Sequence, residues 1–195
     1  MDAMEFFQRS AGEWRSQRTT HHLPFRRAEN GGSAIQVETL AADHPQVVEL
    51  CQMHSVDPGL TVGGAQVAWN GSMAWDKEDE THEGTTVFAI VPDADDASKG
   101  RLLRERGYAE IVPVVGRYEI DDEDAMILVT DYESMSIIER FWFASPDLRL
   151  RFSTVKRFGG FNTATFCAEV RASVETSNAS QPDEPATMAH SISGW

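Results

Sequence analysis

IIERFWFASPDLRLRFSTVKR, residues 137–157, reads as two strands joined by a tight turn. Phe141, Trp142 and Phe143 favour a pleated backbone, and Pro146-Asp147 suits the centre of a type I turn. After the turn, Leu148, Leu150 and Phe152 fall on one face and Arg149, Arg151 and Ser153 on the other, because strand side chains alternate with period two. Before the turn, Glu139 shares a face with Phe141 and Phe143. A carboxylate, a pair of guanidiniums and a hydroxyl can therefore meet across neighbouring strands. Such a row is either the solvated face of an antiparallel sheet or the lining of a closed barrel. In the barrel it would hold a ligand carrying carboxylates, which the rigid donor fork of Arg matches.

Bulk properties narrow the choice of partner. A chain of 195 residues predicts one domain, able to hide roughly 70% of its unfolded surface. Its hydrophobic content of 41% and aromatic content of 9% fit an ordinary soluble globule. The net charge of -14 would repel nucleic acid and anionic membrane, so neither is expected as a partner. The start, MDAMEFFQRSAGEW, has no cationic flank leading into an apolar run, so no secretory leader is expected. No apolar segment approaches the roughly 18 residues of a membrane span. Cys51 and Cys167 lie far apart and are expected as thiols, each either a small core residue or a nucleophile. His21 and His22 are adjacent on a predicted strand and point to opposite faces, and the other histidines are scattered, so no metal site is expected.

Asp2 and Glu5 fit a capping pair that opens a short helix with Met4, Phe7 and Ala11 on one side, suited to plug the end of a barrel. Residues 13–23 read as a first strand containing Trp14 and Arg18, and residues 24–33 as a charged, Gly-containing loop. Residues 35–40 suit a strand or the lead into a helix. Asp43, Pro45 and Gln46 then announce the one long helix, to about His54, with Val47, Leu50, Cys51 and His54 at helical spacing against the outside of a sheet. Residues 66–75 place Trp69 and Trp75 on one face of a strand unless Asn70-Gly71 makes a hairpin turn. Strands are predicted at 85–91, 108–119, 126–132 and 161–171, with an acidic loop at 92–99. Residues 172–195, rich in Ser, Thr, Pro and Glu, are expected to be a disordered tail, leaving 1–171 as the folded domain. About eight to ten short strands with an N-terminal helix and one longer helix, and no βαβ rhythm, predict a mainly β antiparallel barrel or sandwich.

Gly12-Glu13-Trp14 looks like the signature at the start of the first lipocalin strand. The pattern ERFWFASPDLRLR-x-S-x-x-KRFGGF, residues 139–161, closely resembles the S/U-type phycobiliprotein lyases of cyanobacteria and cryptophyte plastids. LAADHPQVVELC from Leu40, GGA-x-V-x-W from Gly63, GRLLRERGYAE from Gly100 and F-x-x-ATFCAEVR from Phe161 extend the resemblance over about residues 4–171. It implies a lipocalin-like (calycin) barrel that attaches a linear tetrapyrrole, phycocyanobilin or phycoerythrobilin, through a thioether to a cysteine of a phycobiliprotein subunit. The bilin is then a substrate, with no permanent cofactor. The implied partner is an apo-phycobiliprotein subunit of phycoerythrin, phycocyanin or allophycocyanin type, in a cyanobacterial cytosol or plastid stroma, and a homodimer is possible. A non-catalytic bilin carrier, or a subunit active only in a heterodimer, is the alternative.

The implicated positions fall on Arg18, Trp69, Trp75, Glu139, Arg149, Arg151 and Ser153. Arg149 and Arg151, with Arg18, are expected to pair the propionates, and Ser153 to add a neutral hydrogen bond. Trp69, Trp75 and Phe141 are expected to cover the conjugated system. Glu139 is the expected catalytic group, binding pyrrolic N–H groups and stabilising a protonated, more electrophilic bilin. The competing role for Glu139 is a structural ion pair with Arg140 or Arg149. The nucleophile belongs to the partner.

Overall fold

The computed structural model describes residues 1–73, 82–105, 113–157 and 159–172. Its ten strands form one closed antiparallel barrel. They are β1 (Gly12–His22), β2 (Arg27–Leu40), β3 (Gly63–Met73), β4 (His82–Asp93), β5 (Asp96–Arg104), β6 (Val114–Ile120), β7 (Met126–Asp131), β8 (Met135–Ser145), β9 (Leu148–Arg157) and β10 (Gly160–Arg171). Each strand pairs with its neighbour in sequence, and β10 returns to pair with β1, so closure removes the exposed edges that an open sheet must protect. The barrel alternative is therefore the one realised. Trp75, the expected tail from residue 173 onward and residues 108–112 of the strand predicted at 108–119 lie outside the described residues.

Helix α1 (Ala3–Ser10) begins in the expected capping box: the Asp2 carboxylate accepts from Glu5 N at 2.8 Å and the Glu5 carboxylate accepts from Asp2 N at 2.8 Å. Its buried face is Ala3, Phe6, Phe7 and Ser10, so the expected face is corrected by a shift of one residue: Met4 is only partly buried and Ala11 is the C-cap. Phe6 and Phe7 enter the barrel end, with ring centroids 5.3 Å from Phe143 and 6.0 Å from Phe88. Gly12, at φ +115°, takes the sharp exit from helix to strand that L side chains resist. Trp14 then points back inward, its indole N–H donating to Ser10 O at 2.8 Å.

Three other expectations are corrected and one open alternative is decided. The predicted loop at 24–33 is a short 3-10 turn, Leu23–Phe25, a left-handed Arg26 (φ 52°) and the start of β2. Asn70-Gly71 makes no turn: Gly71 sits inside β3 between Ser33 and His82, where a Cβ would come within 2.8 Å of the Ser33 side chain. The acidic segment 92–99 is the tight connection between β4 and β5, which pair across it from Asp93 and Asp96. Helix α2 (Pro45–Met53) is capped by His44 instead of Asp43 and is only nine residues long. Val47, Leu50 and Cys51 seal it onto Ala89, Val91 and Leu103 on the outer face of β4 and β5. Burial there pushes the Cys51 thiol up.

The β8–β9 hairpin turns at Pro146-Asp147, with a bulge between Phe143 and Ser145. Its register sets Glu139 opposite Ser153, Phe141 opposite Arg151 and Phe143 opposite Arg149. The usual orientation of an amphipathic sheet is reversed here. Glu139 and Arg149 are buried, while Ile138, Phe152 and Phe166 on the outer face are 44–45% exposed. The polar row lines the barrel, and the apolar row faces out.

Candidate functional site

The barrel encloses a cavity of about 350 Å³ closed at one end by Phe6 and Phe7, near the lower end of the usual ligand-pocket range. One wall comes from β8, β9 and β10, whose inward positions carry Glu139 and Phe141, Arg149 and Arg151, and Glu169. The opposite wall carries Trp69, Thr86 and Phe88, and Arg18 and Arg104 also reach the cavity. Four arginines against two glutamates leave this lining with two positive charges, inside a chain of net charge -14. A dianionic ligand would complete that balance.

The charges are arranged in an alternating line. Arg149 Nε donates to Glu169 Oε2 at 2.6 Å, and both side chains are almost wholly buried. Arg151 follows, with Nε 3.8 Å from Glu169 Oε1 and Nη1 3.6 Å from Glu139 Oε1. Burial pulls the Arg149 pKa below the ordinary guanidinium value, with the attraction of Glu169 opposing that shift. The guanidinium of Arg149 also lies over Trp14, and that of Arg151 over Phe141, at 4.9 and 5.6 Å from the ring centroids. Taking such a set of charges out of water is costly, and hydrophobic residues of similar volume often serve stability as well or better. Placed along a cavity, such a set suits an anionic ligand.

Glu139 does not take either of the structural partners considered for it. Arg140 faces outward and binds Asp121 and Glu123 at 3.0 and 2.6 Å, while Arg149 is held by Glu169. The Glu139 carboxylate is instead buried at the cavity wall with the more distant Arg151 beside it. The structure thus brings Arg18, Trp69, Glu139, Phe141, Arg149 and Arg151 around one space. Ser153 lies on the same inner face, between Glu139 and Thr165 in register, but outside the cavity lining. Cys167 also faces inward, fully buried, its Sγ accepting from Arg151 Nη2 at 3.3 Å. Among the described residues no cluster of His, Cys, Asp and Glu could hold a metal ion, and no helix is long and apolar enough to cross a membrane.

Two charged lining residues escape the sequence reading. Glu169 shares its face with Cys167 and Thr165 by simple alternation, a signal readable once β10 is taken as an inner wall. Arg104 ends β5, 2% exposed, with Nη2 donating to Thr130 Oγ1 at 3.0 Å. Its alternation is masked because Leu102 packs into the barrel and Leu103 packs outward under α2, so two adjacent leucines look alike.

Known proteins resemble this chain along its whole length. A family model described as CpeS-like protein matches residues 2–172. A phycocyanobilin lyase subunit CpcS from Picosynechococcus sp. is 63% identical over 194 residues, covering 100% of this chain and 98% of that protein. A chromophore lyase CpcS/CpeS 2 from Trichodesmium erythraeum is 64% identical over 197 residues, covering 100% of both chains. The solved structure of the S-type phycobiliprotein lyase CPES from Guillardia theta superposes with a TM-score of 0.77 at 35% identity, covering 88% of this chain and 93% of that one. The chain belongs to the CpeS-like family of chromophore lyases.

Proposed function

We propose that this chain binds a linear tetrapyrrole, phycocyanobilin or phycoerythrobilin, inside the barrel and joins it to a cysteine of an apo-phycobiliprotein subunit. The observation that carries the reading is the reversed alternation of β8 and β9, which puts Glu139, Arg149 and Arg151 inside the cavity and Ile138 and Phe152 outside. Arg149 and Arg151, with Arg18, hold the propionates by charge-assisted hydrogen bonds, while Glu169 keeps the Arg149 guanidinium in place. Trp69 and Phe141 cover the conjugated rings, and the family resemblance adds Trp75 to that role. Ser153 supports Glu139 from the neighbouring strand.

Glu139 accepts from the pyrrolic N–H groups and stabilises the protonated bilin. The acceptor thiol then adds across the exocyclic ethylidene double bond of a terminal ring. A carbon–sulfur bond forms, one proton passes to the ring system, and nothing leaves. Holding the bilin in one geometry limits additions at wrong positions. Mixing wild type, Glu139→Gln and Arg149→Ala with each bilin tests the site by absorption. A sharpened, red-shifted band is expected in wild type, altered in Glu139→Gln and weakened in Arg149→Ala. Unchanged bilin spectra with wild type would sink the proposal.

A second reading has its own support, because the relative from Picosynechococcus sp. is named a lyase subunit. Under it this chain transfers bilin only when joined by a second family member, and mixing the two with bilin and apo-subunit restores transfer. A possible homodimer has a surface available in the exposed apolar face of β8, β9 and β10. Sedimentation of wild type beside Phe152→Asp distinguishes a dimer using that face from a monomer.

A further inference from the structure

Two guanidiniums lie over one indole at the closed end of the barrel. Trp14 is 1% exposed and packs with Phe6 and Phe143. Arg149 reaches it from the cavity, 4.9 Å from the ring centroid. Arg171 lies over the same ring at 4.2 Å, and its own guanidinium is firmly tied. Its Nη1 donates to Ala11 O at 2.7 Å, and its Nη2 to Arg9 O at 2.9 Å and Pro146 O at 3.3 Å, with Nε 3.3 Å from Asp147 Oδ1. Those partners are the end of α1 and the turn of the β8–β9 hairpin. The indole N–H donates to Ser10 O at 2.8 Å, so the ring cannot rotate without giving up a buried hydrogen bond. Groups outside the cavity therefore set the indole, and the indole meets an arginine that lines the cavity.

Arg149 is under two constraints of different kinds. Glu169 accepts from its Nε at 2.6 Å, which fixes one edge of the guanidinium. One hydrogen bond leaves the plane of the group able to turn about it. A ring against the guanidinium removes that freedom, because turning would lose the cation–π contact. We propose that Trp14 is a positioning residue for the propionate site: its indole sets the plane in which the Arg149 Nη groups meet a carboxylate, and Arg171 holds the indole in place. This rests on the bilin reading of the barrel. Pairing of a guanidinium with a carboxylate is a planar, two-bond fit, so the orientation of Arg149 matters as well as its charge. Trp14 then acts on the propionates of the ligand and not on its conjugated rings, which Trp69 and Phe141 face across the cavity.

Phycocyanobilin and its dimethyl ester, in which both propionates are uncharged, separate this role from a structural one. Each is titrated into full-length wild type, Trp14→Leu, Trp14→Phe and Arg171→Met, with thermal melts to confirm folding. Wild type is expected to prefer the free acid. Trp14→Leu and Arg171→Met are each expected to bind the acid about tenfold more weakly and the ester within about twofold of wild type, while Trp14→Phe, which keeps a ring, retains most of the preference. A Trp14 that served packing alone would weaken acid and ester alike. Where Trp14→Leu does not fold, Arg171→Met, which keeps the indole and removes its tether, decides. If the deciding variant keeps the wild-type ratio of acid to ester affinity, the role of Trp14 is overturned and the barrel site stands. If wild type binds acid and ester equally, propionate anchoring falls and the role of Trp14 with it. If wild type binds neither, the barrel reading itself falls.

Discussion

Arg149 and Glu169 form the tightest contact in the site, at 2.6 Å and out of reach of water. Removing one partner leaves a buried charge uncompensated, so Arg149→Ala and Glu169→Ala are each expected to lose about 3–5 kcal/mol in urea unfolding. The double variant Arg149→Met/Glu169→Leu should lose much less than the sum of the single changes, because neither charge is then stranded. Equal additivity would show that the pair is not coupled. The same comparison guards the spectroscopic test, since a bilin band lost in Arg149→Ala has meaning only where the protein is folded. Tyr118 gives a separate, titratable readout. Burial, with Asp93 adding to it, raises its pKa from 10.0 to about 12. A raised pKa in the folded state means the neutral phenol stabilises the fold below pH 10.0, and that contribution is lost as pH rises from there through about 12. Tyr118→Phe should flatten this limb of the stability curve, and an unchanged slope would show that another group titrates there.

Helix α1 is a short element joined directly to the site hairpin, because Phe6 packs against Phe141 and Phe143 of β8. Phe6→Ala is expected to cost about 3–5 kcal/mol and to widen the cavity. Asp2→Ala, which removes only the cap, should cost about 1 kcal/mol and leave the bilin spectrum unchanged. Equal spectra for the two variants would show that α1 does not shape the pocket. The capping box and the hairpin are legible in the sequence because each is local: Asp2 and Glu5 sit three residues apart, and the turn at Pro146-Asp147 fixes which residues face each other. β2 is not legible, because Asn30, Gly31 and Gly32 carry turn chemistry, and only the ladders to β1 and β3 hold them extended. The alternation of β9 shows a polar face and an apolar face but not which is inside. That was settled by closure of the barrel, a property of all ten strands together. Glu169 and Arg104 belong to the same class, since their meaning depends on strands far away in sequence.

Across the entire protein, charge is distributed in two opposing ways. The chain as a whole carries -14, while the described cavity lining carries two positive charges. A bilin with both propionates ionised is therefore repelled during approach and attracted once inside. Salt acts on these stages unequally. Exposed charges are screened over about 10 Å at ionic strengths near 0.1 M, whereas enclosed pairs are screened much less. Added salt should accordingly raise the association rate of phycocyanobilin, by about two- to threefold from dilute buffer to moderate salt. The dissociation rate should scarcely move, because the arginines proposed to hold the propionates lie inside the barrel. Stopped-flow absorption measures both rates in one series. This is the opposite of a surface arginine patch, for which salt slows association and weakens the complex. An association rate that falls with salt would place the binding arginines in contact with solvent and remove the enclosed barrel site as the place of first encounter.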